Sequence, residues 1–290
     1  MNSVIDNVPA EVSQVLQSAR RVYTPCGTGQ LVWHIWGEQG ADPALPPLVL
    51  FHGGSGSWTH WLRNLLPLAA SGRRVLVPDL PGFGDSALPI NGVDVDAVPE
   101  PLEAGLAVLL GDTACDLMGF SFGGMTAGLL VQRFPNRVLR LILVGAPGFG
   151  IQPLVPFKLK GWRHLPSDDQ KLAAHHHNLQ ALMLHDPAAI TPLACQIQAA
   201  NAVRDRMPGR RLSRTDILAC ALPEIFSPLY LLYGEHDPFY QGQVGLYDAA
   251  LQTAPHFRAL REIKASGHWA QFEQHEAFNA EVLSILNDSL

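Results

Sequence analysis

Short, largely apolar runs recur along the chain at 48–51, 75–77, 139–144 and 229–233, with helical stretches near 58–71, 98–111 and 122–134 among them. A strand with one wet face alternates polar and apolar residues, so continuous runs of this kind belong to strands covered on both faces. Asp116-Leu117-Met118 and 260–263 add shorter runs, 30–36 alternates like a half-buried strand, and a helix fits near residues 9–20. Strands alternating with helices in this manner predict an α/β fold, a mostly parallel central sheet with helices on both faces. The pattern lapses between 151 and 226, where no strand-like run occurs and helix signals take over. Ser167-Asp168-Asp169-Gln170 reads as a capping box, Thr191-Pro192 as an N-cap followed by Pro at the first helical position, and Ser213 as the cap of a third helix. The expected organisation is therefore a core of residues 1–150 and 227–290 carrying an inserted helical lid at 151–226. Pro147-Gly148-Phe149-Gly150 and Phe226-Ser227-Pro228 would serve as its hinges.

Composition supports one large core: 47% of the 290 residues are apolar and 16% charged, which excludes a disordered chain. A formal charge of −6 offers no basic field for a nucleic acid. No apolar stretch reaches the roughly 18 residues of a membrane span, and Met1 to Asp6 have neither the basic nor the apolar region of an export signal. Cys26, Cys115, Cys195 and Cys220 lack metal or redox spacing, with Cys115 in an apolar strand. The expectation is a cytoplasmic protein without disulfides, metal, nucleic-acid or membrane partner; nothing in the sequence sets its oligomeric state.

The chemistry concentrates in Gly119-Phe120-Ser121-Phe122-Gly123, which lies directly after a strand and directly before a helix. A serine on so sharp a turn takes strained backbone angles, and glycines two residues either side relieve the crowding and leave its hydroxyl exposed. A hydroxyl needs a base, and the base needs an orienting carboxylate. Asp237, in Tyr233-Gly234-Glu235-His236-Asp237-Pro238, and His268, in Ser266-Gly267-His268-Trp269, both follow strands and so fall on the sheet edge that carries Ser121. Glu235 and His236 are near competitors, but the Asp-Pro turn favours Asp237. Donors for an oxyanion are expected from the backbone of Gly54, in His52-Gly53-Gly54-Ser55-Gly56, and of Phe122. Gly54 is preferred over Ser55, and the Gly-Lys-Ser/Thr ending of a phosphate loop is missing.

Taken with Pro78-Asp79-Leu80-Pro81-Gly82-Phe83-Gly84-Asp85-Ser86, these segments fall in the order found in the α/β-hydrolase superfamily, which the chain resembles from about residue 22 onward outside the lid. The resemblance implies a cofactor-free serine hydrolase acting on a small molecule, with Ser121, Asp237 and His268 as the triad. Dehalogenases and epoxide hydrolases of similar layout use an aspartate nucleophile, where this chain has Ser121. Closer in layout are hydrolases that cleave carbon–carbon bonds in dienoate ring-cleavage products. Those enzymes usually have Asn before the nucleophile, where this chain has Phe120. Their basic lid residue falls near Gln198 here, with Arg204 and Arg206 as alternative cations. The resemblance thus favours a small, largely apolar carboxylic ester, with dienoate cleavage as the alternative. Trp58, His176 and Trp269 are the candidate substrate-binding residues. His176 shares a helical stripe with Leu172, Leu179 and Met183, Trp269 follows the histidine, and Trp58 with Trp61 would wall a pocket or anchor a helix.

Overall fold

The computed structural model describes residues 9–90 and 92–288, so the N-terminal reading of Met1 to Asp6 lies outside the described residues. Eight strands form one sheet: β1 (Arg20–Cys26), β2 (Gly29–Trp36), β3 (Leu48–Phe51), β4 (Val75–Pro78), β5 (Cys115–Phe120), β6 (Val138–Val144), β7 (Leu229–Gly234) and β8 (Phe257–Ile263). Their order is β1-β2-β4-β3-β5-β6-β7-β8; β1 and β2 pair antiparallel, β2 and β4 antiparallel, and all other pairs are parallel. Strands β3, β4, β5 and β7 are buried along their whole length, as continuous apolar runs require. The charges that interrupt two runs pair with each other: Asp116 lies opposite Arg140 in register and accepts from Arg73 at 2.8 Å, all three side chains buried.

Helices α1 (Ala10–Gln17), α2 (Leu65–Ala70), α3 (Pro99–Leu110) and α4 (Phe122–Arg133) precede β6, α8 (Val244–Leu251), α9 (Ala270–Glu273) and α10 (His275–Asn287) follow β7, and α5 (Asp168–Asn178), α6 (Pro192–Val203) and α7 (Ile217–Ala221) lie between β6 and β7. Two hydrophobic clusters lie on the two faces of the sheet. One centres on Phe51, Leu117, Leu141 and Leu231, the other on Leu50, Met118, Ile142 and Leu232, the alternation that a two-sided sheet imposes. Between 151 and 226 the described backbone contains no strand. The capping box at Ser167 and the Thr191 cap both form. Ser213 does not cap a helix: it lies inside a short 3-10 turn, and Thr215 instead receives the Ile217 amide at the start of α7.

Candidate active site

Strand β5 ends at Phe120 and α4 begins at Phe122, so Ser121 alone makes the turn, with φ 51° and ψ −116°. The chain is held there by the Ser121 amide, which donates to the Val144 carbonyl at 2.7 Å, and by Gly124, which donates to the Ser121 carbonyl at 2.8 Å. The flanking glycines are sterically required. A Cβ on Gly119 would overlap the Gly123 carbonyl, and one on Gly123 would overlap the carbonyls of Phe51 and His52 at the end of β3. Strain at a single residue, held by its surroundings, presents the side chain at the strand's C-terminal end.

The structure brings the three sequence-selected residues together. His268 Nε2 lies 2.9 Å from Ser121 Oγ, and His268 Nδ1 lies 2.7 Å from Asp237 Oδ2. The second carboxylate oxygen of Asp237 accepts the Phe239 amide at 2.9 Å, so each oxygen has a fixed partner. Phe120 and Phe239 flank the His268 ring with centroids at 4.9 and 5.1 Å, which fixes its plane. The loops after β7 and β8 touch because Gly234 has no side chain; a Cβ there would overlap the Gly267 carbonyl. Glu235, the near competitor, points elsewhere, accepting the Ala265 amide at 3.0 Å.

Beside the serine, Gly54 comes so close that its Cβ would lie 3.6 Å from Phe122 Cβ. Neither the Gly54 nor the Phe122 amide donates to a protein acceptor among the described residues. The loop rests on two buried histidines. His60 Nδ1 accepts the Gly53 amide at 3.2 Å, and His52 Nε2 accepts the Leu80 amide at 2.8 Å. Burial pushes His52 down to about 4 and His60 well below its ordinary value, so both are neutral and can accept.

A cavity of about 340 Å³ opens over Ser121 and His268, walled by Phe122, Met125, Leu159, Leu182, Met183 and Phe239, with Arg210 and Arg214 also lining it. A second cavity of about 510 Å³ shares Gly54, Ser55, Leu159, Leu182 and Met183 as walls and adds Lys160, Arg163, His164 and His175 from the inserted segment. That segment is tied to the histidine loop. The Trp269 amide donates to the Met183 carbonyl at 2.7 Å, and the Glu273 carboxylate accepts the amides of Gly267, His185 and Asp186 at 2.7, 3.1 and 2.6 Å.

The three expected substrate contacts are placed differently. Trp58 is buried against His34 and Trp36, with centroids at 5.5 and 5.6 Å, and lines neither cavity. Trp269 is fully buried, stacked on Phe272 at 4.1 Å and donating its indole N–H to the His60 carbonyl at 2.9 Å; it supports the loop from below. His176 is exposed, and it is His175 that turns inward, because the buried face of α5 runs through Ala174, His175 and Leu179 before a π turn at Leu179–Met183 resets the phase. Arg204 and Arg206 also leave the site, Arg204 for Asp85 at 3.1 Å and Arg206 for the carbonyls of Phe83, Gly84 and Ser86. Gln198 lines the second cavity and not the first. The sequence signal for Arg210 is its Asp205 partner five residues earlier.

Fold and site together define a hydrolase architecture, and the alpha/beta hydrolase family model matches residues 48–281: the chain belongs to that family. Among curated proteins it is similar to the 2-hydroxy-6-oxo-6-phenylhexa-2,4-dienoate hydrolase of Burkholderia cepacia, 29% identical, covering 82% of this chain and 87% of that one. The 2-hydroxy-6-oxononadienedioate/2-hydroxy-6-oxononatrienedioate hydrolase of Burkholderia vietnamiensis is 30% identical, covering 82% and 86%. Among solved structures, the carboxylesterase CesB of Bacillus subtilis superposes with a TM-score of 0.73 at 22% identity, covering 97% of each chain. The meta-cleavage product hydrolase of Pseudomonas fluorescens IP01 superposes at 0.70 and 22%, covering 89% of this chain and 94% of that one. Membership implies hydrolysis of a small-molecule substrate, and no described helix is long and apolar enough to cross a membrane.

Proposed function

We propose that the protein hydrolyses a small, largely apolar carboxylic ester through an acyl-enzyme on Ser121. The observation that carries this reading is the hydrogen-bonded chain from Asp237 through His268 to Ser121, beside two amides with no protein acceptor among the described residues. His268 Nε2 takes the Ser121 proton as Oγ attacks the ester carbonyl, and the amides of Gly54 and Phe122 receive the oxyanion. The tetrahedral intermediate collapses, the C–O bond breaks, and the alkoxide leaves with the proton from His268. Water then enters, gives a proton to His268 and attacks the acyl carbon; collapse of this second intermediate releases the acid and returns the proton to Ser121 Oγ. Asp237 holds the imidazole with Nδ1 protonated and stabilises its cation. The segment 151–226 acts as the lid: Leu159, Leu182 and Met183 roof the cavity and Glu273 anchors the segment to the histidine loop. No cofactor takes part, and four free thiols favour a reducing, cytoplasmic setting.

The second reading is hydrolytic carbon–carbon cleavage of a dienoate, supported by the curated relatives and by the cations at the cavity. A buried carboxylate requires a cation whose charge is not already spent. Arg210 is neutralised by Asp205 at 2.8 and 2.9 Å, whereas Arg214 has no ion-pair partner among the described residues. Phe120, a hydrocarbon ring against His268, supplies no donor beside the nucleophile and favours the ester. The test compares kcat/KM for short-chain p-nitrophenyl esters with that for a 2-hydroxy-6-oxodienoate. The ester is expected to lead. A tenfold dienoate preference, about 1.4 kcal/mol of transition-state binding, lost selectively in Arg214→Ala, would overturn that order.

A further inference from the structure

Ser55, the residue after Gly54, is one of three non-glycine residues with positive φ among those described, at 49°. The other notable one is Ser121 itself, so both strained residues of the site flank the place where an oxyanion would form. An L-residue holds such a conformation only when its surroundings impose it. The partners of its side chain come from the inserted segment. Ser55 Oγ donates to Asp205 Oδ2 at 2.5 Å, and Arg210 donates to both oxygens of that carboxylate while its Nη2 reaches Ser55 Oγ at 3.3 Å. The Asp205 and Arg210 side chains are about 10% and 19% exposed, and Asp205 also accepts the Met207 amide at 2.9 Å. The Arg210 guanidinium lies over the rings of Phe83 and Phe122, at 4.9 and 5.5 Å, and within 3.5 Å of where a Cβ on Gly54 would stand. Burial alone would raise the Asp205 carboxyl; the bonds from Arg210 and Ser55 outweigh it and hold the group below its ordinary value, so the clamp stays charged.

We propose that Asp205 and Arg210 are positioning residues that clamp Ser55 in its left-handed conformation and thereby aim the Gly54 amide at the oxyanion. The inserted segment then does more than roof the cavity, because the loop that stabilises the transition state is held in place by that segment's own ion pair. The inference rests on the serine-hydrolase reading and on Gly54 as a donor.

The experiment compares Asp205→Asn, Ser55→Ala and Ser55→Gly, and combines each Ser55 variant with Asp205→Asn. Asp205→Asn and Ser55→Ala should each lower kcat roughly 10- to 100-fold, less than or near the loss of a whole donor. KM should hold within about twofold, and the affinity for a boronic acid transition-state analogue should fall in parallel with kcat. Glycine adopts positive φ without help, so Ser55→Gly should exceed Ser55→Ala in kcat by at least fivefold, and Asp205→Asn should cost little in either Ser55 background. A merely structural role would lower Tm without a selective effect on kcat or analogue affinity, and glycine would not recover more than alanine. Either result overturns the clamp. Labelling of Ser121 by a fluorophosphonate, which builds charge on a phosphoryl oxygen in the same place, gives the same readout without an ester substrate. Slower labelling in Asp205→Asn supports the clamp even if ester hydrolysis fails; an unchanged labelling rate refutes it.

Discussion

Replacing Asp237 by Asn changes one atom, and the structure fixes which way that atom must point. Oδ1 accepts the Phe239 amide at 2.9 Å and Oδ2 accepts from His268 Nδ1 at 2.7 Å, inside a fully buried side chain. An asparagine can keep its oxygen on the Phe239 amide only by turning its NH2 group toward Nδ1. That nitrogen must then accept, the ring proton moves to Nε2, and Nε2 at 2.9 Å from Ser121 can no longer take the hydroxyl proton. The opposite rotamer sets NH2 against the Phe239 N–H, leaving two buried donors facing each other, so it does not compete. Loss of the correct tautomer costs about 10⁴ in kcat, or about 5 kcal/mol. Glu235→Gln is the control: Glu235 lies on the Ala265 amide and Lys264, and its variant should keep kcat within about twofold. Both are assayed on p-nitrophenyl butyrate, with circular dichroism to establish folding. A folded Asp237→Asn enzyme within tenfold of the parent, or equal losses in the two variants, would refute the tautomer argument.

Gly123→Ala should abolish soluble expression or lower Tm sharply, because the new methyl meets the backbone of β3; a variant melting with the parent would contradict that steric reading. Leu182→Ala or Met183→Ala should shift the acyl chain length preferred among p-nitrophenyl esters, whereas His176→Ala, at an exposed position, should leave the preference unchanged. Burial pushes His175 down to about 4, below the roughly 6.5 of an unfolded chain. Only the unfolded state takes up this proton between those values, so the ring's contribution erodes as pH falls from about 6.5 toward 4, by roughly 1 kcal/mol per unit. His175→Phe should therefore flatten the loss of denaturant stability between pH 6.5 and 4.5. A slope identical to the parent's would show that His175 is not held neutral.

The sheet was legible because a strand buried on both faces has little freedom in composition, and β3, β4 and β7 follow the runs that announced them. Strand β1 carries no such signal: Arg20–Cys26 is an edge strand with one exposed face and Pro25 within it, so neither run nor alternation marks it. Ser121, Asp237 and His268 were legible because each lies just past a strand, where the backbone alone determines position. The cavity walls were not. Whether a residue of segment 151–226 faces inward depends on helix phase, and the π turn at Leu179–Met183 changes that phase without any mark in the sequence. Trp58 and Trp269 mislead for a related reason: an aromatic next to a reactive loop supports it from beneath as readily as it walls the pocket above. The Asp205–Arg210 pair joins the inserted segment to a loop some 150 residues earlier, a distance over which sequence pattern alone gives no pairing.

The most direct test of the central claim, that Ser121 is the activated nucleophile, is covalent labelling followed by peptide mapping. The folded protein is incubated with a fluorophosphonate at neutral pH, and intact mass and digest fragments are read for the parent and for Ser121→Ala. One adduct per chain is expected, carried on the peptide containing Ser121, with ester hydrolysis lost in step with labelling. Ser121→Ala should remain folded, take no label and lose turnover by several orders of magnitude. A label on any other residue, or turnover that survives in Ser121→Ala, would contradict the assignment.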